Sequence, residues 1–195
     1  MAAFKTKNSV ESLSQVAIYD LSASLRSKAI TILTEFDHET VFETILLGCA
    51  DPTREVRAAA ARGLTRLSFD RADAWTRIME TNEEGKIRQA ARAAIEGGFV
   101  ERSFDRLIHR DSKYAYEGFV LLSLIVKSGE IEGLIEAIKS HKDKRVCSAI
   151  LHIFKVSKDA NALSILYNLI ENNSLPSQLK VEIDKTISEM NLVTA

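Results

Sequence analysis

Proline and glycine are scarce in this chain of 195 residues, which contains two prolines and eight glycines. An all-β fold with many tight turns needs more of both, because these residues supply the backbone angles that turns require. The scarcity therefore favours helices. Hydrophobic residues make up 46% of the sequence and charged residues 27%, which is typical of a globular protein.

Cysteines are few as well, and a strong net charge and long apolar runs are missing. The two cysteines, Cys49 and Cys147, are too far apart to form a disulfide in a helical stack, and unpaired thiols favour a cytoplasmic location. A formal net charge of −1 argues against a general nucleic-acid binder. The longest apolar run, Phe119–Val126, is too short to span a bilayer, and the first residues lack the apolar segment of a signal peptide.

A recurring pattern is the most informative feature that is present. A branched apolar residue, usually followed by a basic one, precedes small and apolar residues at Leu25, Val56 and Ile87, in steps of 31 residues. Weaker copies follow after steps of 29, 30 and 33 residues, at Tyr116, Val146 and Leu179. Such a period indicates a stack of similar units rather than one closed core. We predict one domain over residues 1–195 made of six repeats, at about residues 8–37, 38–69, 70–98, 99–128, 129–158 and 159–191.

The second repeat shows most clearly what each copy should fold into. Val56, Ala60 and Leu64 form one stripe of a helix, and residues 51–53 before them carry a helix-start signal. Residues 39–50 form a second amphipathic helix, so each repeat is predicted to be a hairpin of an outer helix A and an inner helix B. The predicted A helices are 8–19, 39–49, 70–81, 100–109, 130–140 and 160–171. The predicted B helices are 22–36, 53–68, 84–97, 113–128, 143–157 and 176–191.

The segment Asp51–Leu64 (DPTREVRAAAARGL) resembles a HEAT repeat, whose pattern is an aspartate turn, a Val-Arg pair, alanines and a leucine. The resemblance extends over nearly the whole chain and weakens towards the C-terminus, where Glu117 and Cys147 take the arginine position. It implies an all-α fold: an α-solenoid, wound as a right-handed superhelix of about six hairpins. It also implies that the B helices line the concave side.

Arg26, Arg57 and Arg88 occupy the arginine position of the first three repeats. Three guanidinium groups in a row could bind a polyanion. The resemblance implies instead that they pair with aspartates between helices, such as Asp20 and Asp51, in the same or an adjacent repeat. We therefore predict a structural ladder of ion pairs.

The fourth B helix is apolar on almost every side, which is unusual for a helix at a protein surface. Leu121, Leu122 and Ile125 are expected to point away from the repeat core. Either they are buried between neighbouring repeats, or they form an exposed patch for a partner or a second copy of the chain. The B helices together carry a net positive charge, so the concave side would attract an acidic partner. We predict a partner-binding surface formed by Leu121, Leu122, Ile125, Arg62, His152 and Lys155.

Recognisable catalytic motifs are missing from the sequence. The four histidines form no metal-binding pair, and there is no phosphate-binding glycine loop, nucleophile elbow or cysteine pair at zinc spacing. Cys147 has Lys144 and Arg145 as neighbours, which would lower the pKa of its thiol. The alternative interpretation of Cys147 is a small packing residue of an inner helix.

The sequence therefore predicts a non-catalytic, protein-binding scaffold without a cofactor. Its partner would be a protein that is acidic or has an apolar anchor, and self-association stays open. One alternative is a resemblance to alkylpurine DNA glycosylases built from HEAT-like repeats, although Trp75 lies on an outer helix and nucleic acid is not the expected partner. Another is a resemblance to phycobilin lyases, which also carry HEAT-like repeats but find no specific support in these residues.

Overall fold

A computed structural model of the protein describes residues 7–36, 38–67, 71–157, 160–171 and 175–194. These residues form twelve α-helices and no strand. The helix bounds lie within about four residues of the predicted ones, and A and B helices alternate as expected. In chain order the helices are α1 (Lys7–Tyr19), α2 (Ala23–Leu33), α3 (Glu39–Gly48), α4 (Arg54–Leu64), α5 (Arg71–Glu80), α6 (Glu84–Glu96), α7 (Phe99–Leu107), α8 (Ser112–Ser128), α9 (Glu132–Ser140), α10 (Lys144–Ser157), α11 (Ala160–Glu171) and α12 (Ser177–Thr194).

Contacts between the helices divide the chain into two compact units, one up to Glu101 and one from Arg102. In the first unit the B helices α2, α4 and α6 pack side by side, while α1, α3 and α5 cover them. In the second unit α8, α10 and α12 form the corresponding row, with α9 packed on α10 and α11 on α12. This succession of hairpins is that of an α-solenoid, as predicted. That all six hairpins form a single domain stays a prediction.

Polar side chains and glycines mark the ends of several helices. The Ser22 hydroxyl accepts from the Leu25 N–H at the start of α2, and the Asp111 carboxylate accepts from the Lys113 N–H at the start of α8. Gly129 ends α8 with a positive φ of 78°, a conformation that costs glycine little because it has no Cβ. These signals agree with the short connections that the repeat pattern predicts.

Buried alanines are frequent on α4 and α6, which pack side by side in the first unit. Ala59, Ala60 and Ala61 of α4 are buried, as are Ala90 and Ala91 of α6. Small side chains let helix backbones approach closely. The alanines of the repeat pattern are therefore a packing signal.

The hypothesis that Leu121, Leu122 and Ile125 form an exposed patch is wrong. Leu121 is 3% exposed, and Leu122 and Ile125 are fully buried. The packing alternative is the one observed, because α8 is packed against α10 and also passes very close to α7. At Gly118 a Cβ would lie only 2.9 Å from the backbone oxygen of Ser103, so glycine is what permits this approach. A helix enclosed on several sides is apolar on several sides.

Candidate binding surface

The arginine ladder is confirmed between the first two repeats. Arg26 donates from Nε and Nη2 to the two carboxylate oxygens of Asp51, at 2.7 and 3.0 Å, and from Nη1 to the backbone oxygen of Asp20 at 2.7 Å. Burial opposes ionisation of Asp51, but the hydrogen bonds from Arg26 and from Thr53 hold the pKa of that carboxyl below its usual value. Arg26 is itself buried, so it is a joint between repeats and is not presented to a ligand.

The ladder changes in the next two repeats. Arg57 donates to Glu96 at 2.6 and 2.8 Å, so the prediction of an aspartate partner is wrong at this position. The third repeat has Asn82 at the aspartate position, with a positive φ of 52°, and therefore offers no carboxylate there. Arg88 is exposed and forms no ion pair with any residue that the structure describes, so the ladder stays a prediction for Arg88.

In the fourth repeat the charges of the ladder are reversed. Glu117 stands at the arginine position, and its Oε2 accepts from Arg106 Nη1 of α7 at 2.7 Å. The Glu117 side chain is only 4% exposed, whereas that of Arg106 is 32% exposed. A buried carboxylate requires such a cation, since an unpaired charge is costly to bury. The position still takes part in an ion pair, although its sign has changed and the pair lies within one repeat.

Cys147 takes the same position in the fifth repeat. Its thiol is buried and lies 3.6 Å from the backbone oxygen of Ile138, within reach of a weak S–H hydrogen bond. Burial raises the pKa of this thiol, and the carboxylates of Glu182 and Asp143 raise it further. The hypothesis of a lowered pKa is therefore wrong, and the packing interpretation is the one observed.

A groove with a volume of about 520 Å³ opens beside Cys147, between α9, α10 and the first half of α12. Apolar side chains from α9 and from the start of α12 form part of its lining. Lysine side chains also line the groove, and Glu182 is the carboxylate among its lining residues. The apolar side chains are Ile138, Pro176, Leu179 and Val181, and the lysines are Lys139, Lys144 and Lys185.

Polar pairs at one constant separation hold α10 and α12 together along this groove. The Nζ of Lys144 donates to the Oε1 of Gln178 at 2.8 Å, and the hydroxyl of Ser148 donates to the carboxylate of Glu182. Two turns further on, the Nζ of Lys155 lies 2.7 Å from the Oε2 of Glu189. In each pair the partners are 34 residues apart. The Glu182 carboxylate in the groove thus accepts a hydrogen bond from Ser148, whereas the Lys144 ammonium donates to a neutral amide.

The predicted site residues are only partly brought together. His152 is exposed on α10, and its ring lies 6.4 Å from that of Phe119 on α8. Lys155 lies one turn further along α10 in the second unit, whereas Arg62 is exposed on α4 in the first unit. That these three bind a partner stays a prediction.

Sequence reasoning missed the lysines of the groove. They come from three elements that are distant in the chain, and none has an unusual neighbour. The available signal was the 34-residue spacing of Lys144 from Gln178 and of Lys155 from Glu189, one residue longer than the step of 33 from Val146 to Leu179. That spacing indicates which residues of α10 and α12 face each other.

Metal and membrane sites are not found in the part of the chain that the structure describes. Within it, no group of three histidine, cysteine, aspartate or glutamate side chains could hold a metal ion. None of its helices combines the length and the apolar composition that crossing a bilayer would require. The groove offers lysine ammonium groups and apolar side chains to a ligand.

Comparison with known proteins identifies the repeats. Residues 10–96 match a family model described as HEAT repeats, which confirms the resemblance read from Asp51–Leu64. Among curated proteins, none matches the chain. One solved structure of an engineered protein is 17% identical, covers 94% of this chain and 98% of its own, and has a TM-score of 0.39. A second engineered protein is 16% identical, covers 94% of this chain and 96% of its own, and has a TM-score of 0.36.

Proposed function

We propose that this chain, whose residues 10–96 match a model of HEAT repeats, is a non-catalytic scaffold that binds a polypeptide partner. The binding surface would be the exposed side of the B helices α8, α10 and α12 in the second unit. The observation that carries this proposal is the groove beside α10, which apolar, polar and charged side chains line together. Protein-binding surfaces commonly combine an apolar centre with a polar rim.

Exposed apolar side chains occur on all three B helices, and one of them, Val181, also lines the groove. Tyr116 of α8 is 52% exposed, Val156 of α10 is 51% exposed and Val181 of α12 is 68% exposed. His152 lies one turn before Val156 and contacts Phe119, so aromatic and aliphatic groups occur on neighbouring helices. Aromatic side chains supply much of the binding energy at protein interfaces.

The non-catalytic and cytoplasmic parts of the proposal rest on the cysteines. Both thiols are free and buried, and burial raises the pKa of Cys49 to about 12. A thiol of this kind is a poor nucleophile at neutral pH. Two unpaired cysteines also suit a reducing compartment.

The glycosylase-like alternative gains no support from the aromatic residues. Trp75 is only 2% exposed, so it belongs to the core of the first unit and has no face on which a base could stack. Nothing in the second unit favours the handling of a chromophore. Protein binding is therefore the function we favour.

The test uses two variants with matched exposure. Leu47 of the outer helix α3 is 54% exposed, close to the value for Val156, so each position accepts glutamate without a buried charge. A partner is captured with the wild-type protein, purified, and titrated against Val156→Glu and Leu47→Glu. We expect Val156→Glu to weaken binding by at least about tenfold and Leu47→Glu to leave it unchanged. Equal affinities of the two variants would overturn the proposal.

A further inference from the structure

We infer that the groove between α9, α10 and α12 holds an acidic polypeptide segment with one apolar side chain. This inference rests on the proposed function, because it names the class of partner that the second unit would bind. The groove is lined by side chains of two kinds. Some are apolar and others carry ammonium groups.

The charge of the groove is positive because its lysines outnumber its carboxylates. Lys139, Lys144 and Lys185 line it, against the single carboxylate of Glu182. The hydroxyl of Ser148 already donates to Glu182. The Lys185 side chain is 75% exposed, and its Nζ lies 4.0 Å from Glu189 Oε1. These ammonium groups therefore keep most of their capacity to bind an anion.

Two features of the surrounding helices preserve this positive charge. Neither α10 nor α12 has an acidic residue in its first turn, and both helices begin at the groove. The nearby carboxylate of Asp143 is paired with the Arg145 side chain, 2.7 Å away, and also accepts from the Arg145 N–H at the start of α10. The partial positive charge at the start of α12 therefore adds to that of the lysines, whereas that of α10 is already met by Asp143.

The apolar side chains of the lining favour a peptide over a simple polyanion as the ligand. Ile138, Leu179 and Val181 line the groove, and Val181 is 68% exposed. A phosphate chain would neutralise the lysines but leave these side chains in contact with water. A peptide with carboxylates on both sides of an apolar residue can satisfy both kinds of side chain, because burying the apolar residue is favourable in itself. Charge complementarity across such a contact mainly accelerates association and selects the partner.

The experiment measures the binding of a short fluorescein-labelled peptide of glutamate and aspartate with a central leucine, by fluorescence anisotropy. The full chain is compared with the double variant Lys144→Glu/Lys185→Glu. The control is Lys28→Glu/Arg54→Glu, which changes the net charge equally at exposed positions of the first unit. We expect the groove variant to weaken binding by at least about tenfold and the control by less than about twofold.

A second peptide and a second anion test the apolar part. Replacing the central leucine by serine should weaken binding several-fold, and inorganic polyphosphate should bind more weakly than the leucine peptide. The inference is overturned if the wild-type protein does not bind the peptide, if the serine peptide binds equally well, if polyphosphate binds more tightly, or if the groove and control variants behave alike.

The captured partner separates this inference from the proposed function. If Val156→Glu releases that partner while Lys144→Glu/Lys185→Glu does not, the second unit is a binding surface but the groove is not its acidic-peptide site. If neither change affects the partner, both proposals fail.

Discussion

Replacing Arg106 by leucine should destabilise the protein strongly, because it removes the cation that accompanies a buried carboxylate. Arg106 Nη1 lies 2.7 Å from Glu117 Oε2, and the Glu117 side chain is only 4% exposed. Leucine keeps the Cβ that lies close to Gly118 and preserves an apolar stem. The variant therefore tests the charge rather than the packing of α7 against α8.

The expected magnitude follows from the unequal exposure of the two partners. Removing one member of a fully buried pair costs roughly 3–5 kcal/mol, whereas a solvent-exposed pair contributes about 0.2–1 kcal/mol. Glu117 is buried but Arg106 is 32% exposed, so water screens part of the interaction. We expect Arg106→Leu to lower the free energy of unfolding by about 3 kcal/mol, at the lower edge of the buried range.

Urea unfolding followed by circular dichroism measures this loss, and a double-mutant cycle assigns it. Glu117→Met removes the carboxylate with a side chain of similar volume, and the double variant Arg106→Leu/Glu117→Met leaves neither charge. The double variant should be more stable than Arg106→Leu alone, with a coupling of about 2 kcal/mol. A loss below about 1 kcal/mol for Arg106→Leu, or strictly additive losses, would refute the role of Glu117 as a buried, paired carboxylate.

Three further predictions concern the packing and the charges. In the same urea titration, Leu122→Ala should lower the free energy of unfolding by about 3 kcal/mol and Val156→Ala by less than about 0.5 kcal/mol. Equal losses would contradict the burial described for α8. Gly118→Ala should lower the free energy of unfolding by more than about 1 kcal/mol, because the alanine Cβ would lie 2.9 Å from a backbone oxygen of α7. This loss is expected despite the better helix propensity of alanine, and a gain in stability would contradict the close approach. The side-chain hydrogen bond from Arg145, assisted by its backbone N–H, lowers the pKa of Asp143 to about 2, so an NMR titration should show this value in the wild type and a higher one in Arg145→Met. Because the folded pKa lies below the unfolded value of about 3.9, this carboxylate stabilises the fold above about pH 4 and loses that effect as the pH falls towards 2; an unshifted wild-type value would contradict the pairing.

The helices could be predicted because each repeat contains its own periodic pattern. The stripe of Val56, Ala60 and Leu64 needs only local information, and an apolar residue followed by arginine recurs early in the first three B helices. The joint between Arg26 and Asp51 was also predictable, since both residues belong to well-preserved repeats. These features depend on neighbours in the sequence or in the next repeat.

The binding surface depended on information that the sequence does not contain. A helix that is apolar on every side can be buried on several sides or can form an exposed patch. Packing of α8 against α10 and α7 accompanies the burial of Leu122. The groove arises only when α9, α10 and α12 come together. Lys139 and Lys185 are ordinary surface residues in the sequence and become neighbours of one cavity through the packing of three helices.

The equal spacing of the pairs between α10 and α12 has a consequence for the last hairpin. If α12 slid along α10 by one turn, the partners of Lys144, Ser148 and Lys155 would all move out of reach together. No intermediate position keeps some of these contacts and loses the others. The three pairs therefore fix a single register of α12 on α10. Both helices line the groove, so a ligand held there also stabilises the packing of α12 on α10.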